Sequence, residues 1–178
     1  MDAATALFVE RGFHGASMRE IAERCQLSKA GLYHHFRDKQ ALLLAVLLAG
    51  VEQAGVIVAR ATAAQGGTRA QVRELLAGIA RHRDRQRSVM RLAEREAANL
   101  SAEARAQMLA AYQASFVGPI EALLEEGRTS GALRSDVDAA WLARALLALS
   151  QPLLTARAGE VPEQVERTVA LFLDGAGR

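Results

Sequence analysis

The stretch SMREIAERCQLSKAGLYHHFRDK, residues 17–39, decides how this chain is read. Ser17 and Ser28 are residue types that cap helix N-termini, and Met18, Ile21, Ala22 and Cys25 fall at helical spacing. Two short helices with a tight turn between them follow, which is the pattern of a helix-turn-helix that lays a short helix in the major groove of DNA. The two lysines of the chain, Lys29 and Lys39, both lie here beside Tyr33, His34 and His35. All five side chains can donate to phosphate oxygens. The same spacing also describes a surface helical hairpin with solvated charges, and spacing alone leaves both readings open.

Upstream, Asp2 is placed to cap a first helix reaching about Arg11, with Ala4, Leu7 and Phe8 on its inner face and Gly12 as its stop. Downstream, Asp38 caps a long helix that opens with Lys39 and runs to about Thr62, ending before the break at residues 65–68. From Thr68, a good N-cap, a helix carries Val72, Leu75, Leu76 and Ile79 into a basic segment. Another carries Val89, Met90 and Leu92. Ser101 opens a longer helix that Pro119 kinks or divides, and residues 127–131 end it. Asp136 or Asp138 starts a strongly apolar helix from Trp141 through Leu153, and Pro162 sits where a last helix begins. No strand pattern is present, so the fold class is all-α.

Composition narrows the function classes. A chain of 178 residues that is 51% hydrophobic with three prolines has ample length for a core and is neither disordered nor all-β. The net charge of +2 is too small for bulk attraction to nucleic acid, so binding must rest on local placement. Within residues 1–45, six basic side chains (Arg11, Arg19, Arg24, Lys29, Arg37, Lys39) face five acidic ones. Cys25 is the single cysteine, which excludes an intrachain disulfide and fits a reducing compartment. There is no basic n-region at the start, and the longest apolar run, residues 41–51, is too short to span a bilayer. A soluble cytoplasmic protein is expected.

Taken together, Leu7-Phe8, Gly12-Phe13, Ser17, Ile21-Ala22, Leu27-Ser28-Lys29, Leu32-Tyr33-His34-His35-Phe36, Lys39 and Leu42 resemble the N-terminal pattern of the TetR family of bacterial transcriptional regulators. The resemblance is specific over about residues 3–45. It implies a helix-turn-helix DNA-binding domain over 1–45 and a helical regulatory and dimerisation domain over 46–178. Residue by residue, it puts Ser17 at a phosphate-contacting N-cap and Arg19 near the groove edge. Ser28, Lys29 and Gly31 fall on the recognition helix, Tyr33 and His34 match phosphate contacts, and Lys39 matches the lysine that opens the connector helix. Phe36, Ile21 and Leu32 match core positions.

The sequence departs from the family pattern in three places. Gln26 stands in the inter-helix turn where the family has Gly, so a non-glycine residue is expected at positive φ, at a cost of roughly 1 kcal/mol. Gly31 costs about as much in helix propensity, and close approach to DNA is the expected gain. The chain begins almost at the first helix, so minor-groove reading by a basic arm is not expected.

The second half is read in the same way. Seven arginines lie between residues 69 and 91, and Arg81 and Arg85, one turn apart, could hold an anionic ligand or an acidic partner. A solvated face explains the same run. Met90, Met108, Tyr112, Gln113, Phe116, Trp141 and Arg144 could line a small-molecule pocket, although ordinary core accounts for the same spacing. The apolar helix from Trp141 cannot hide every face against its own chain, so a homodimer through the last two helices is expected. A twofold dimer would set two recognition helices roughly 34 Å or a multiple apart and read a palindrome. The sequence has no HExxH, CxxC, phosphate-cradling glycine loop or nucleophile elbow, and adjacent His34 and His35 cannot share a metal from one helix face. An enzyme, a metal and a cofactor are therefore not expected. The expected function is a dimeric repressor released from a palindromic operator by a small-molecule effector. The alternative is a DNA-binding dimer controlled by a protein partner or by nothing.

Overall fold

The computed structural model describes residues 1–176, with the side chains of Arg85, Gln86 and Ala176 left aside. The described residues contain helices and turns and no strand. They form two compact units, residues 1–52 with 87–111, and residues 53–86 with 112 onward.

The first unit opens with α1 (Asp2–Gly15), α2 (Met18–Arg24) and α3 (Lys29–His35). Asp2 does not cap α1. Met1 occupies the cap without a side-chain bond, and Asp2 supplies negative charge in the first turn instead. Gly12 breaks α1 as expected, at φ 71° and ψ 175°, a conformation open essentially to glycine alone. Ser17 and Glu20 form a reciprocal capping box that starts α2. Gln26 makes the turn at φ 57°, and Ser28 then caps α3. Asp38 accepts from Ala41 N–H at 2.7 Å and so starts α4 (Lys39–Thr62).

Residues 87–111 belong to this unit because they complete its core. Leu92, Leu100 and Ala104 are buried in one cluster with Leu7, Phe8, Ile21, Leu32, Leu42, Leu43 and Leu47. Leu92 lies on α6 (Arg83–Glu96) and Ala104 on α7 (Ala102–Tyr112), which Ser101 caps. The Phe8 and Val9 carbonyls lie in the turn of α1 that precedes the break at Gly12. Arg95 Nη2 donates to Phe8 O at 3.0 Å and to Val9 O at 3.2 Å. The buried Glu96 carboxylate orients that guanidinium, accepting from Arg95 Nε at 2.9 Å and from Asn99 Nδ2 at 2.8 Å. Asn99 O in turn accepts from Gln40 Nε2 of α4 at 2.7 Å. One corner at residues 95–99 thereby fixes both helices that flank the helix-turn-helix.

α4 is 24 residues long and apolar enough by length and composition to cross a membrane, with half of its most apolar window buried in protein. Its apolar character has a local cause. Leu42, Leu43, Val46 and Leu47 enter the first core, while Ala54, Ile57, Val58 and Ala61 enter the second.

In the second unit, α5 (Gly67–Arg81) starts one residue before Thr68. Gly66 at φ 107° and Gly67 at φ 73° turn the chain, and Gly66 takes the cap in place of Thr68. Pro119 divides the long helix as expected. It lacks an N–H and its ring crowds the carbonyl four residues back, so α7 passes through a π-turn over Gln113–Val117 into α8 (Gly118–Thr129). Gly131 at φ 75° ends that helix, and Asp138, rather than Asp136, caps α9 (Ala139–Leu149), accepting from Trp141 N–H at 2.6 Å. The helix expected to run through Leu153 stops at Leu149, because Pro152 redirects the chain into a 3₁₀ turn over Gln151–Leu154. α10 (Val161–Ala176) packs Val165, Val169 and Phe172 onto α5 and α9 residues in the same core.

Gly12→Ala tests the corner. An added Cβ would lie 3.0 Å from Glu96 Oε1, in a backbone region that costs a side chain about 1–3 kcal/mol. The variant is expected to melt several degrees lower by calorimetry. An unchanged melting temperature would show that the α1 break needs no glycine.

Candidate nucleic-acid interface

α3 is seven residues long, and Leu32 is the buried residue that anchors it. Anchoring at Leu32 leaves Lys29, Ala30, Tyr33 and His34 exposed, with Gly31 half-buried. Ser28 Oγ accepts from Gly31 N–H at 2.9 Å. A Cβ on Gly31 would stand 3.2 Å from that oxygen, so glycine leaves room for the cap as well as for any approaching backbone.

Charge is sparing on this surface. Arg11 Nη1 lies 2.7 Å from Glu20 Oε1, Arg24 Nη1 lies 3.0 Å from Glu10 Oε2, and Arg37 Nε lies 3.2 Å from Asp38 Oδ2. Arg19 reaches Glu23 at 3.8 Å with both side chains well exposed. Arg24, by hydrogen bond and charge, holds the Glu10 carboxyl below the usual glutamate range. Hydrogen bonds from Ser17 do the same for Glu20, helped by Arg11. Ser17 is tied to Glu20 through its hydroxyl, which donates to Oε2 at 2.8 Å, and through its N–H at 3.1 Å.

Lys39 is held within the protein. Its Nζ donates to Ala16 O at 2.9 Å and stands 4.4 Å from the centre of the Phe13 ring. Lys39 therefore ties the start of α4 to the residue before the α2 cap. Lys29 differs from the four arginines of this segment, which reach carboxylates, and from Lys39, which is bonded to the backbone. Among the described residues no carboxylate lies within 4.0 Å of Lys29, and its ammonium sits 5.9 Å from the Tyr33 ring centre. That leaves a free cation and, one turn on along the same face of a short helix, a phenol 43% exposed, with the exposed His34 imidazole about 100° further round. Such a face can bond phosphates and base edges together.

The residues read as a pocket do not gather on one element. Met90 and Met108 lie in the first unit and the other five in the second. Met90 is exposed on α6, and Met108 packs against the first core. Tyr112, 38% exposed, stacks on buried Phe116 with ring centres 5.2 Å apart, and the partial burial of its ring raises the phenol pKa. Gln113 Nε2 reaches Glu121 Oε2 at 3.4 Å. Trp141 and Arg144 are exposed on α9. Among the described residues no three His, Cys, Asp or Glu side chains gather as a metal site. Arg95, Glu96, Asn99 and Gln40 were not legible as supports of this interface. The bonds that join this group to α1 and α4 span 59 to 87 residues of chain, and the readable signal was indirect: a helix broken at Gly12 leaves a terminus that outside donors can serve.

Two family models match the chain: bacterial regulatory proteins, tetR family, over residues 1–46, and tetracyclin repressor-like, C-terminal domain, over residues 69–158. The chain is 46% identical over 54 residues to the HTH-type transcriptional regulator UidR of Escherichia coli (strain K12), covering 30% of this chain and 28% of UidR. It thus spans little more than a quarter of that relative. It is 27% identical over 138 residues to the HTH-type transcriptional repressor KstR2 of Rhodococcus jostii (strain RHA1), covering 78% of this chain and 68% of KstR2. In fold it matches AibR, solved in complex with isovaleryl coenzyme A and operator DNA, with a TM-score of 0.74 and 24% identity over 95% of this chain and 93% of that one. With the second model covering half of its length and the first its helix-turn-helix, the chain belongs to the tetR family of bacterial regulatory proteins.

Proposed function

We propose that this protein is a cytoplasmic, homodimeric, sequence-specific DNA-binding repressor without enzymatic activity, released from a palindromic operator by a small-molecule effector. The carrying observation is Lys29, exposed on α3 beside Tyr33 and His34 and free of carboxylate neighbours among the described residues. Lys29 reads base edges, and Tyr33, His34, Ser17, Arg19 and Ser28 hold phosphates around it. Gly31 lets the backbone approach. Lys39 contributes a proton not used by Ala16, while its main work is to keep α2 and α4 in register. DNA reading is assigned to residues 1–45, and regulation and dimerisation to 46–178.

Dimerisation is assigned to α9 and α10. Trp141 is 54% exposed and Leu171 63% exposed, on helices whose other large apolar residues are buried in the second core or packed partly buried against it. Large apolar side chains left in water on two neighbouring helices favour a partner copy of the same surface. Trp141 and Arg144 are thereby taken from the pocket and given to the interface. The effector is assigned to the neighbourhood of the Tyr112–Phe116 ring pair, where the π-turn interrupts the helix. AibR, with an acyl thioester and operator DNA in one crystal, supports the idea of coupled sites on this fold.

Selection of bound sequences from a random DNA pool is expected to return a palindrome. Lys29→Ala should relax sequence choice and reduce the salt slope of binding by about 1, while Tyr33→Phe weakens all sequences alike. Lys39→Ala should weaken binding and also lower the melting temperature. Unchanged affinity in all three at matched salt would remove these contacts. Trp141→Asp with Leu171→Asp is expected to give a monomer by light scattering, with operator affinity lowered at least tenfold. A dimer that persists would move the interface elsewhere. Calorimetry with a metabolite library should find a binder that displaces DNA, and a complete lack of one would favour control by a protein partner or by none.

A further inference from the structure

We propose that α4 and α5 hold a small oxyanion, a phosphate, sulfate or carboxylate group, between Arg60 and Arg81, with His82 at the rim. A cavity of about 60 Å³ in the second unit is lined by Gln53, Ile57 and Arg60 of α4 and by Glu74, Gly78, Arg81 and His82 around the end of α5. Its walls follow from helix periodicity: 53, 57 and 60 share one face of α4, and 74, 78 and 81 share one face of α5. The helices approach closely because position 78 has no side chain. A Cβ there would come within 2.5 Å of Ile57 Cγ2.

The lining chemistry is cationic and donor-rich. Arg81 Nη2 is held 2.6 Å from Glu74 Oε1, which fixes one side of its guanidinium and leaves other N–H groups available. Arg60 has no carboxylate within 4.0 Å among the described residues. The two guanidinium charges thus exceed the single Glu74 carboxylate, and the Gln53 amide adds donors. His82 Nδ1 lies 3.0 Å from Gly78 O and Arg83 Nη1 donates to Ala80 O at 3.2 Å. These two bonds serve the last α5 carbonyls, so the helix terminus does not need the guanidinium groups of Arg60 and Arg81 as caps. The pairing of Arg81 with Arg85 read from the sequence lies outside the described residues, because the Arg85 side chain is not among them.

Size selects the ligand class. The cavity exceeds the ~10–15 Å³ of accessible volume that a single water needs, which leaves room for a small oxyanion. It is well below the ~300 Å³ of a drug-sized pocket. The occupant is either a free anion or the terminal anionic group of a metabolite whose remainder stays in solvent.

Binding there needs no DNA, so it can be tested apart from the operator. The whole protein is titrated with phosphate, sulfate and acetate, and with chloride at matched ionic strength, while NMR follows the Arg60 and Arg81 side-chain N–H and His82 ring signals. At least one oxyanion is expected to give saturable shifts confined to these three residues, and the responding anion fixes the chemical class. Arg60→Gln should weaken that binding at least tenfold, with Arg157→Gln, an exposed arginine outside the cavity, leaving it unchanged. If Arg60→Gln lowers the melting temperature, Arg81→Gln makes the same comparison. Equal shifts with chloride, no saturation with any oxyanion, or full-strength binding by a stably folded Arg60→Gln would overturn the site.

Discussion

The DNA-reading half of this molecule depends on the repair of one broken helix. Gly12 turns the backbone out of α1, and the Phe8 and Val9 carbonyls in the turn before it take donors from a distant part of the chain; a carbonyl buried without a partner costs about 1–3 kcal/mol. Arg95 satisfies both, and the buried Glu96 carboxylate makes that arrangement stiff by aligning the guanidinium. A buried charge is unfavourable unless it is bonded, so this corner holds together or fails as a unit. Asn99 extends it to Gln40, which brings the first turn of α4 under the same control. A helix-turn-helix of two seven-residue helices has little stability of its own, and its orientation is set by these long-range bonds.

Economy of charge is the second theme. Most basic side chains of residues 1–45 are engaged with carboxylates, which weakens general attraction to phosphate and leaves Lys29 as the distinctive cation. A surface of this kind gains less from counterion release than a strongly basic one, so shape and hydrogen bonding carry more of the discrimination. It also makes a second copy of the reading helix valuable, because each copy alone offers few phosphate contacts.

α4 explains why a chain of two units can have one long apolar helix. Its first half supplies Leu42, Leu43, Val46 and Leu47 to one core, and its second half supplies Ile57, Val58 and Ala61 to another. Small residues allow close packing along it. Gly50 admits Val89 in the first unit, and in the second Gly55 admits Ser115 of the π-turn. Each glycine costs roughly 1 kcal/mol of helix propensity, and the packing it permits offsets that cost.

Much of this was set by local chemistry and could be read from the residues. Ser17, Ser28, Asp38 and Asp138 cap the helices they precede, Gln26 takes positive φ, and Pro119 divides the helix it interrupts. Each outcome follows from groups within a few positions in sequence. Trp141's exposure, the sharing of 87–111 with the DNA-reading helices, the engagement of Lys39 with Ala16 and Phe13, and the placing of Arg60 and Arg81 around one cavity were decided by tertiary structure alone. Those depend on which helix faces come together, and helical periodicity names a face without naming its partner.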